Sequence, residues 1–347
     1  MEGNPTSRQM VKGLLNGIVP PRPLFLPIVF SLGAKVENVP LGVFLGSPAK
    51  ISSSLRQMRT HLRTDGAACY FDPYLEAEAL GATLQRQSDG QAASIHWAQT
   101  ARMGELPESL RSPEEAAKSG RVPVAVEVIR RMNALPNRDF LLMAGVTGPL
   151  TLAARITQCE REEELRREGL PDSAQELAAS VVTQMASTFL EAGADLIIIQ
   201  EEILPAPSAG RLDAWADRLA PAINIVRFYE AIPVLQLLDV SAVLENWDGI
   251  FQRQWDCVVS LPLEVLVQRW EDGPVGTNGV MLGIALQLDA FWPDGTGGEA
   301  LRQVLQVMIS ELRPAMLTTA RDVPATTDMK HMIKALEGIR AMFSYPI

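Results

Sequence analysis

The chain has 347 residues, of which 47% are hydrophobic, and its formal net charge at pH 7 is −10. A chain of this length and apolar content can bury a large core, and an acidic charge spread along the whole sequence argues against a nucleic-acid-binding surface. Cys69, Cys159 and Cys257 lie far apart and in no CxxC spacing, which indicates neither a disulfide framework nor a cysteine-built metal site. The sequence shows no signal-peptide pattern and no apolar run near the roughly 18 residues of a membrane span. We therefore expect a cytoplasmic protein that binds neither nucleic acid nor membranes.

Apolar runs alternate with helical patterns along almost the whole chain. Residues 1–22 form an N-terminal extension with a short amphipathic helix closed by Pro20 and Pro21. Residues 81–97 alternate in polarity around Ser88-Asp89-Gly90, which predicts a β-hairpin insertion. Strands are predicted at 24–30, 67–71, 140–146, 195–200, 232–238, 257–260, 280–285 and 315–319. Eight strands separated by helices are typical of an α/β fold of the (β/α)8 TIM-barrel type, and we expect one such domain over residues 1–347.

Acidic residues directly follow several of the predicted strands. Asp72 follows the second strand, Glu201 and Glu202 follow the fourth, and Asp239 follows the fifth. Parallel strands of a barrel are buried on both faces, so the first charged residue marks the carboxyl end, where barrel loops bind ligands. We therefore expect these four carboxylates at the mouth of the barrel.

Six segments are distributed over nearly the whole chain in this order: RPLFLP, the segment from Asp72 to Gly81, the hairpin, GVTGPLTLA, GADLIIIQEE, and RDVPATT before the last helix. Their sequences and their order resemble those of the uroporphyrinogen decarboxylase superfamily. That superfamily comprises porphyrinogen decarboxylases and corrinoid-linked methyltransferases, and the resemblance implies a (β/α)8 barrel and an enzyme of one of these two kinds.

The match to the decarboxylases is incomplete. The resemblance implies that Asp72, nine residues before Gly81, holds the substrate, as the corresponding aspartate holds the pyrrole NH groups in that branch. The two arginines of the first-strand loop are missing from PIVFSLGAK, which leaves only Lys35. The expected tyrosine falls near Arg155, and the histidine expected after the eighth strand is absent from TTARDVP. Because guanidinium groups are the main electrostatic handle on a substrate with eight carboxylates, these departures argue against authentic decarboxylation.

The match to the zinc-dependent methyltransferases is also incomplete. Their metal ligands, a His-x-Cys pair and a later Cys, align here with Gln236, Leu238 and Arg321. Zinc is held by thiolate and imidazole groups, which these three side chains cannot replace. We therefore expect no zinc site and no tightly bound cofactor.

These observations favour a corrinoid-linked methyltransferase-type enzyme that moves a methyl or other one-carbon group between a small molecule and a cobalamin protein. The chain has no Asp-x-His-x-x-Gly corrinoid motif, so the corrinoid would arrive on a separate partner protein. One of two adjacent carboxyl groups, with its pKa raised by the other, could protonate the leaving atom, which makes Glu201 and Glu202 the catalytic candidates. The candidate substrate-binding residues are Asp72, Gln236, Asp239, Arg321 and Arg155.

Other interpretations stay open at this point. Glu201 and Glu202 could simply pair with an arginine or a loop amide. The protein could instead be a uroporphyrinogen decarboxylase-like enzyme of tetrapyrrole metabolism, or a non-catalytic barrel that binds a tetrapyrrole or regulates a partner. A homodimer is expected from the resemblance alone.

Overall fold

A barrel of eight parallel strands forms the centre of the molecule. The computed structural model describes residues 5–86, 92–97, 105–159, 169–273, 275, 278–291 and 298–343. The barrel strands are β1 (Leu24–Leu26), β2 (Gly66–Tyr70), β5 (Leu141–Thr147), β6 (Leu196–Glu201), β7 (Ile232–Leu237), β8 (Val258–Pro262), β9 (Met281–Leu286) and β10 (Met316–Thr319). They lie in the order β1-β10-β9-β8-β7-β6-β5-β2, and each neighbouring pair is parallel. The predicted (β/α)8 fold is confirmed.

Helices cover the outside of the barrel and connect its strands. Residues Ser7–Leu15 form α1 before the first strand, and α2 (Gly33–Val36), α3 (Leu41–Leu45) and α4 (Pro48–Leu62) connect β1 to β2. The remaining helices are α5 (Leu75–Leu80), α6 (Pro113–Ala116), α7 (Val122–Asn133), α8 (Pro149–Ile156), α9 (Asp172–Glu191), α10 (Ala209–Phe228), α11 (Val240–Glu245), α12 (Trp247–Phe251), α13 (Leu263–Glu271), a 3-10 turn (Leu288–Phe291), α14 (Gly298–Leu312) and α15 (Met329–Ala341). No helix of the described part of the chain is long and apolar enough to cross a membrane.

Two additions to the barrel were predicted, and the structure shows both. Helix α1 begins at a capping box, in which the Thr6 hydroxyl accepts from the Gln9 amide and the Gln9 side chain accepts from the Thr6 amide. Strands β3 (Thr83–Arg86) and β4 (Ala92–His96) pair antiparallel as the predicted hairpin, whose turn at Ser88–Gly90 lies outside the described residues.

Asp65 closes the seam of the barrel at the amino-terminal end of its strands. The first and last strands in the order, β1 and β2, meet where the Asp65 amide donates to the Phe25 carbonyl at 2.9 Å. The Asp65 carboxylate accepts from the Phe25 amide at 2.8 Å, from Ser7 of α1 at 2.7 Å and from both terminal nitrogens of Arg22. Burial acts to raise the pKa of Asp65, but its bonds to Arg22, Phe25 and Ser7 outweigh burial and hold that pKa below its usual value.

We predict that Asp65→Asn lowers the free energy of unfolding at pH 7 by about 2 kcal/mol, because the half-buried Arg22 guanidinium loses its counter-charge and the buried carboxylate loses an acceptor oxygen. A carboxylate with a depressed folded-state pKa stabilises the protein above its unfolded pKa, and this contribution is lost as the pH falls through the folded pKa. The difference between the variant and the wild type, measured by urea denaturation, should therefore shrink between pH 7 and pH 3. Asp139→Asn is the matched control: this exposed partner of Arg59 should cost less than about 1 kcal/mol. An equal difference at both pH values would contradict this role of Asp65.

Candidate functional site

A cavity of about 320 Å³ opens at the carboxyl-terminal ends of the barrel strands. A volume of this size is enough for a small molecule. Segments that follow β1, β2, β6, β7 and β10 supply its walls. The lining residues are Ser31, Leu41, Leu45, Phe71, Asp72, Pro73, Tyr74, Gln200, Glu202, Leu238, Arg321, Asp322 and Pro324. Three of the residues predicted for the site, Asp72, Glu202 and Arg321, are thus brought together.

Asp72 lies on the cavity wall with its charge already neutralised. Its carboxylate pairs with Arg121, which precedes α7, and accepts from the Tyr74 amide at 3.0 Å. Arg121 also bonds to Glu78 of α5 at 2.6 Å through its Nε atom. The fixed Asp72 carboxylate can therefore accept a hydrogen bond from a ligand, while Arg121 lies behind it.

Glu202, directly after β6, is held between two arginines. Its Oε2 atom accepts from Arg155 at 2.6 Å, and its Oε1 atom lies 3.3 Å from Arg321. Arg155 is buried, bonds to the Pro73 carbonyl and to the Thr147 hydroxyl, and lies behind the wall rather than in it. The Arg321 side chain, by contrast, is 70% exposed and stands at the mouth of the cavity. Of these two predicted binding residues, only Arg321 can contact a ligand directly.

Glu201 points away from the cavity, so the structure corrects its predicted catalytic role. Its carboxylate is fully buried and accepts four hydrogen bonds: from the Leu150 amide at 3.0 Å, the Thr151 amide at 2.9 Å, the Thr151 hydroxyl at 2.6 Å and the Trp215 indole at 3.0 Å. Burial raises its pKa, and the bonds from Thr151, Trp215 and Leu150 oppose that rise. The two amides belong to the first turn of α8, whose N-cap residue Gly148 has no side chain to cap the helix. Glu201 therefore caps α8 from the neighbouring strand.

Gln236 and Asp239 also lie elsewhere than predicted. Gln236 is fully buried inside the barrel, where it accepts from the Gln200 amide group at 2.7 Å and donates to the Thr319 carbonyl at 3.0 Å. Asp239 caps α11 by accepting from the Ala242 amide at 2.9 Å. Neither residue lines the cavity. Gln200, which bonds to Gln236, and Leu238, which precedes Asp239, line it instead.

Asp322 is a cavity residue that the sequence pattern did not single out. It follows β10, and its Oδ1 atom accepts from the Phe30 amide at 2.7 Å while its Oδ2 atom accepts from the Ser31 amide at 2.9 Å. Burial raises the pKa of this carboxyl group to about 7, against the opposing effect of the bonds from Ser31, Phe30 and Val323. An acidic residue after the eighth strand is the same signal that marked Asp72, and in the segment RDVP it was overshadowed by Arg321.

The positions aligned with the zinc ligands do not fit a zinc ion. Gln236 uses its amide group within the barrel, Leu238 is apolar, and Arg321 is a cation paired with Glu202. Zinc requires three or four thiolate, imidazole or carboxylate ligands. Among the residues that the structure describes, no group of three or more His, Cys, Asp or Glu side chains is placed to hold a metal ion. We assign no step to a metal.

Comparison with known proteins identifies the class. Residues 34–222 match the family described as uroporphyrinogen decarboxylase (URO-D). This match spans more than half of the chain, and the protein belongs to that family. No curated protein sequence matches the chain significantly.

Two solved structures share the fold. A methyltransferase from Methanosarcina mazei superposes with a TM-score of 0.74 at 16% identity, over 97% of this chain and 98% of its own. A putative vitamin-B12 independent methionine synthase from Listeria monocytogenes superposes with a TM-score of 0.55 at 9% identity, over 92% of this chain and 97% of its own. At these identities the likeness is one of fold.

We predict that Glu201→Gln lowers the free energy of unfolding by about 2 kcal/mol, because an amide group in place of one oxygen leaves buried donors of α8 unpaired. Chemical denaturation followed by circular dichroism measures this loss. Glu127→Gln, which removes an exposed i,i+4 pair with Arg131, is the control and should cost less than about 0.5 kcal/mol. Wild-type stability in Glu201→Gln would contradict the capping role.

Proposed function

We propose that the protein is a methyltransferase-type enzyme that transfers a methyl or other one-carbon group between a small molecule and a corrinoid carried by a partner protein, without a zinc site. Membership of the URO-D family and the fold shared with the Methanosarcina mazei methyltransferase support this class of reaction. The observation that carries the proposal is the charge balance of the cavity. Asp72 is matched by Arg121, and Glu202 is matched by Arg155 and Arg321. Such a cavity suits a small ligand of little net charge.

The cavity wall has both apolar and polar side chains. Leu41, Leu45, Phe71 and Leu238 offer contacts to the body of a methylated compound. The oxygen atoms of Asp72 and Glu202 and the Gln200 amide group can fix its polar end by hydrogen bonds. A few polar groups placed in an apolar pocket orient a ligand in this way, and orientation is a large part of catalysis of group transfer.

The corrinoid acts as a second substrate in this proposal. When bound, it supplies a nucleophilic cobalt centre that can accept a methyl group. Leu41 and Leu45 lie one helical turn apart on the same face of α3, and both line the cavity. These two residues are the ones that we expect to face the corrinoid.

Decarboxylation of uroporphyrinogen is the second candidate function, because Asp72 lines the cavity. The charges of the cavity wall favour this reaction less than methyl transfer. Among the described residues, Arg321 is the cation that lines the cavity, and it already pairs with Glu202. A substrate with eight carboxylates would bring many anions to a cavity in which one guanidinium group of the described residues, that of Arg321, can reach them and is shared with Glu202.

We predict methyl transfer to cob(I)alamin from at least one methoxylated or N-methylated compound, and increased transfer when a corrinoid protein encoded beside this chain is added. The absorbance of the methylated corrinoid measures the rate. Glu202→Gln should raise KM about tenfold with a smaller change in kcat, because the polar end of the ligand loses a fixed charged acceptor. Asp217→Asn, on helix α10 away from the cavity, is the control and should leave both constants unchanged.

The same protein sample should be assayed with uroporphyrinogen. Formation of coproporphyrinogen that disappears in Asp72→Ala, together with no transfer from any methyl donor in the panel, would overturn the proposed function in favour of decarboxylation. Absence of both activities would favour a non-catalytic barrel.

A further inference from the structure

The carboxyl group of Asp322 is the one acidic group of the cavity wall for which the described residues show no ion pair. Asp72 pairs with Arg121 and Glu202 pairs with two arginines, whereas Asp322 is bonded by uncharged groups, namely the Phe30 and Ser31 amides, the Val323 backbone and the Ser31 side chain. A paired guanidinium group favours the charged form of a carboxyl group. Among the described residues, Asp322 is the carboxyl group of the cavity wall that has no such partner.

The surroundings of Asp322 account for this difference. It follows β10, and the loop after β1 covers it on one side. The charged groups of the cavity are Asp72, Glu202 and Arg321, and Arg321 is directed to Glu202. Lys35 of α2 donates instead to the Thr327 carbonyl at 2.9 Å. No charged residue is among the main influences on the pKa of Asp322, for which burial is the largest cause.

The hydrogen bonds of Asp322 also suit a group that gains and loses a proton. The ionised carboxylate accepts from the two backbone amides. The protonated group keeps acceptor capacity for them and adds one O–H donor. Because Asp322 lines the cavity, that donor can be directed to a bound ligand. The backbone amides fix the position of the group in both states.

We propose that Asp322 is the catalytic acid that protonates the oxygen or nitrogen atom from which the methyl group departs. This inference rests on the proposed function. The bond between the methyl carbon and the heteroatom breaks, and its electron pair stays on the heteroatom. The heteroatom takes the Asp322 proton to form an O–H or N–H bond, and solvent then reprotonates the carboxylate. The methyl carbon passes to the corrinoid, whose nucleophilic cobalt would supply the electron pair of the new bond, so that atoms and charge balance without a further oxidant or reductant.

A catalytic acid at Asp322 favours one class of methyl donor, the ethers. A leaving oxygen that would depart as an alkoxide or phenoxide gains most from a proton donor. Ethers, and above all phenolic methyl ethers, are therefore expected to be better donors than quaternary methylammonium compounds, which leave as neutral amines and need no proton. This order of donors can be tested directly.

The first arm of the experiment measures protonation without any turnover. Infrared difference spectra of the full-length protein, with aspartate carboxyl carbons labelled with 13C, are recorded between pH 5 and pH 9. The proposal expects the carbonyl band of one protonated aspartate to disappear near pH 7, and to be missing in Asp322→Asn. Circular dichroism establishes that the variant is folded.

Ser31→Ala is a second variant that keeps the acid in place. The Ser31 side chain hydrogen-bonds to Asp322 and lowers its pKa. Its removal should therefore move the titration to higher pH rather than abolish it. The pH dependence of kcat should shift in the same direction, which a purely structural role of Asp322 would not produce.

The second arm measures turnover of a phenolic methyl ether against pH. In the wild type kcat should fall as the pH rises through about 7, where the acid is lost. In Ser31→Ala this fall should lie at higher pH. In Asp322→Asn kcat should decrease about 100-fold or more and lose the fall, with little change in KM. Asp217→Asn is again the control and should keep the wild-type profile.

An Asp322 signal that does not titrate between pH 5 and pH 9, or a wild-type kcat and pH profile in Asp322→Asn, overturns this proposal while methyl transfer itself stands. A titrating Asp322 in a protein that transfers no methyl group from any donor overturns the proposed function and the role of Asp322 in it. Equal turnover of phenolic ethers and quaternary ammonium compounds overturns the proposed substrate class.

Discussion

Neutralisation of carboxylates between neighbouring βα units is the interaction on which this structure depends. A carboxylate taken out of water is costly unless cations or hydrogen-bond donors surround it. At the amino-terminal end of the barrel Arg22 and Arg138 meet Asp65 and Asp195, and the same aspartates bond to the backbone of adjacent strands. These contacts fix the strands relative to one another.

The same principle arranges the other end of the barrel, where it produces the cavity. Arginines from two different connections, Arg121 and Arg155, hold Asp72 and Glu202 in place. Glu201 uses the amides of α8 in place of a cation, and this brings α8, and with it Arg155, against the rim. Gly148 leaves the room for this contact, since a Cβ atom at its position would clash with the Glu201 carboxyl carbon. Asp72 and Glu202 each pair with arginine and serve as hydrogen-bond acceptors. Asp322 has no such pair among the described residues, and we assign proton transfer to it.

The barrel could be predicted from the sequence because parallel strands buried on both faces give continuous apolar runs. The run Leu196–Ile199 is completely buried in the structure, and a helix precedes and follows it as its flanking patterns indicate. The short helices α2 and α3 could not be predicted, since one helical turn next to proline and glycine leaves too little periodicity to detect. Residues 113–132 have one helical pattern, but they form two helices, α6 and α7, separated at Gly120, where φ is +57°.

The site was only partly predictable, and the reasons are geometric. Glu201 and Glu202 are adjacent, so they point to opposite sides of the strand, and the side that faces the cavity is that of Gln200 and Glu202. No local pattern could have revealed the contact of Asp322 with the Phe30 amide, because 292 positions of sequence separate the two residues.

The proposed mechanism requires that the rim cavity binds the methyl donor and that Asp322 gains its proton there. Isothermal titration calorimetry of the tightest-binding phenolic methyl ether, at pH 7.5 in two buffers of different ionisation enthalpy, measures the protons taken up on binding. A ligand that expels water from the cavity raises the pKa of Asp322 further, so the mechanism predicts proton uptake by the wild type and none by Asp322→Asn. A binding heat that is the same in both buffers for the wild type would contradict it.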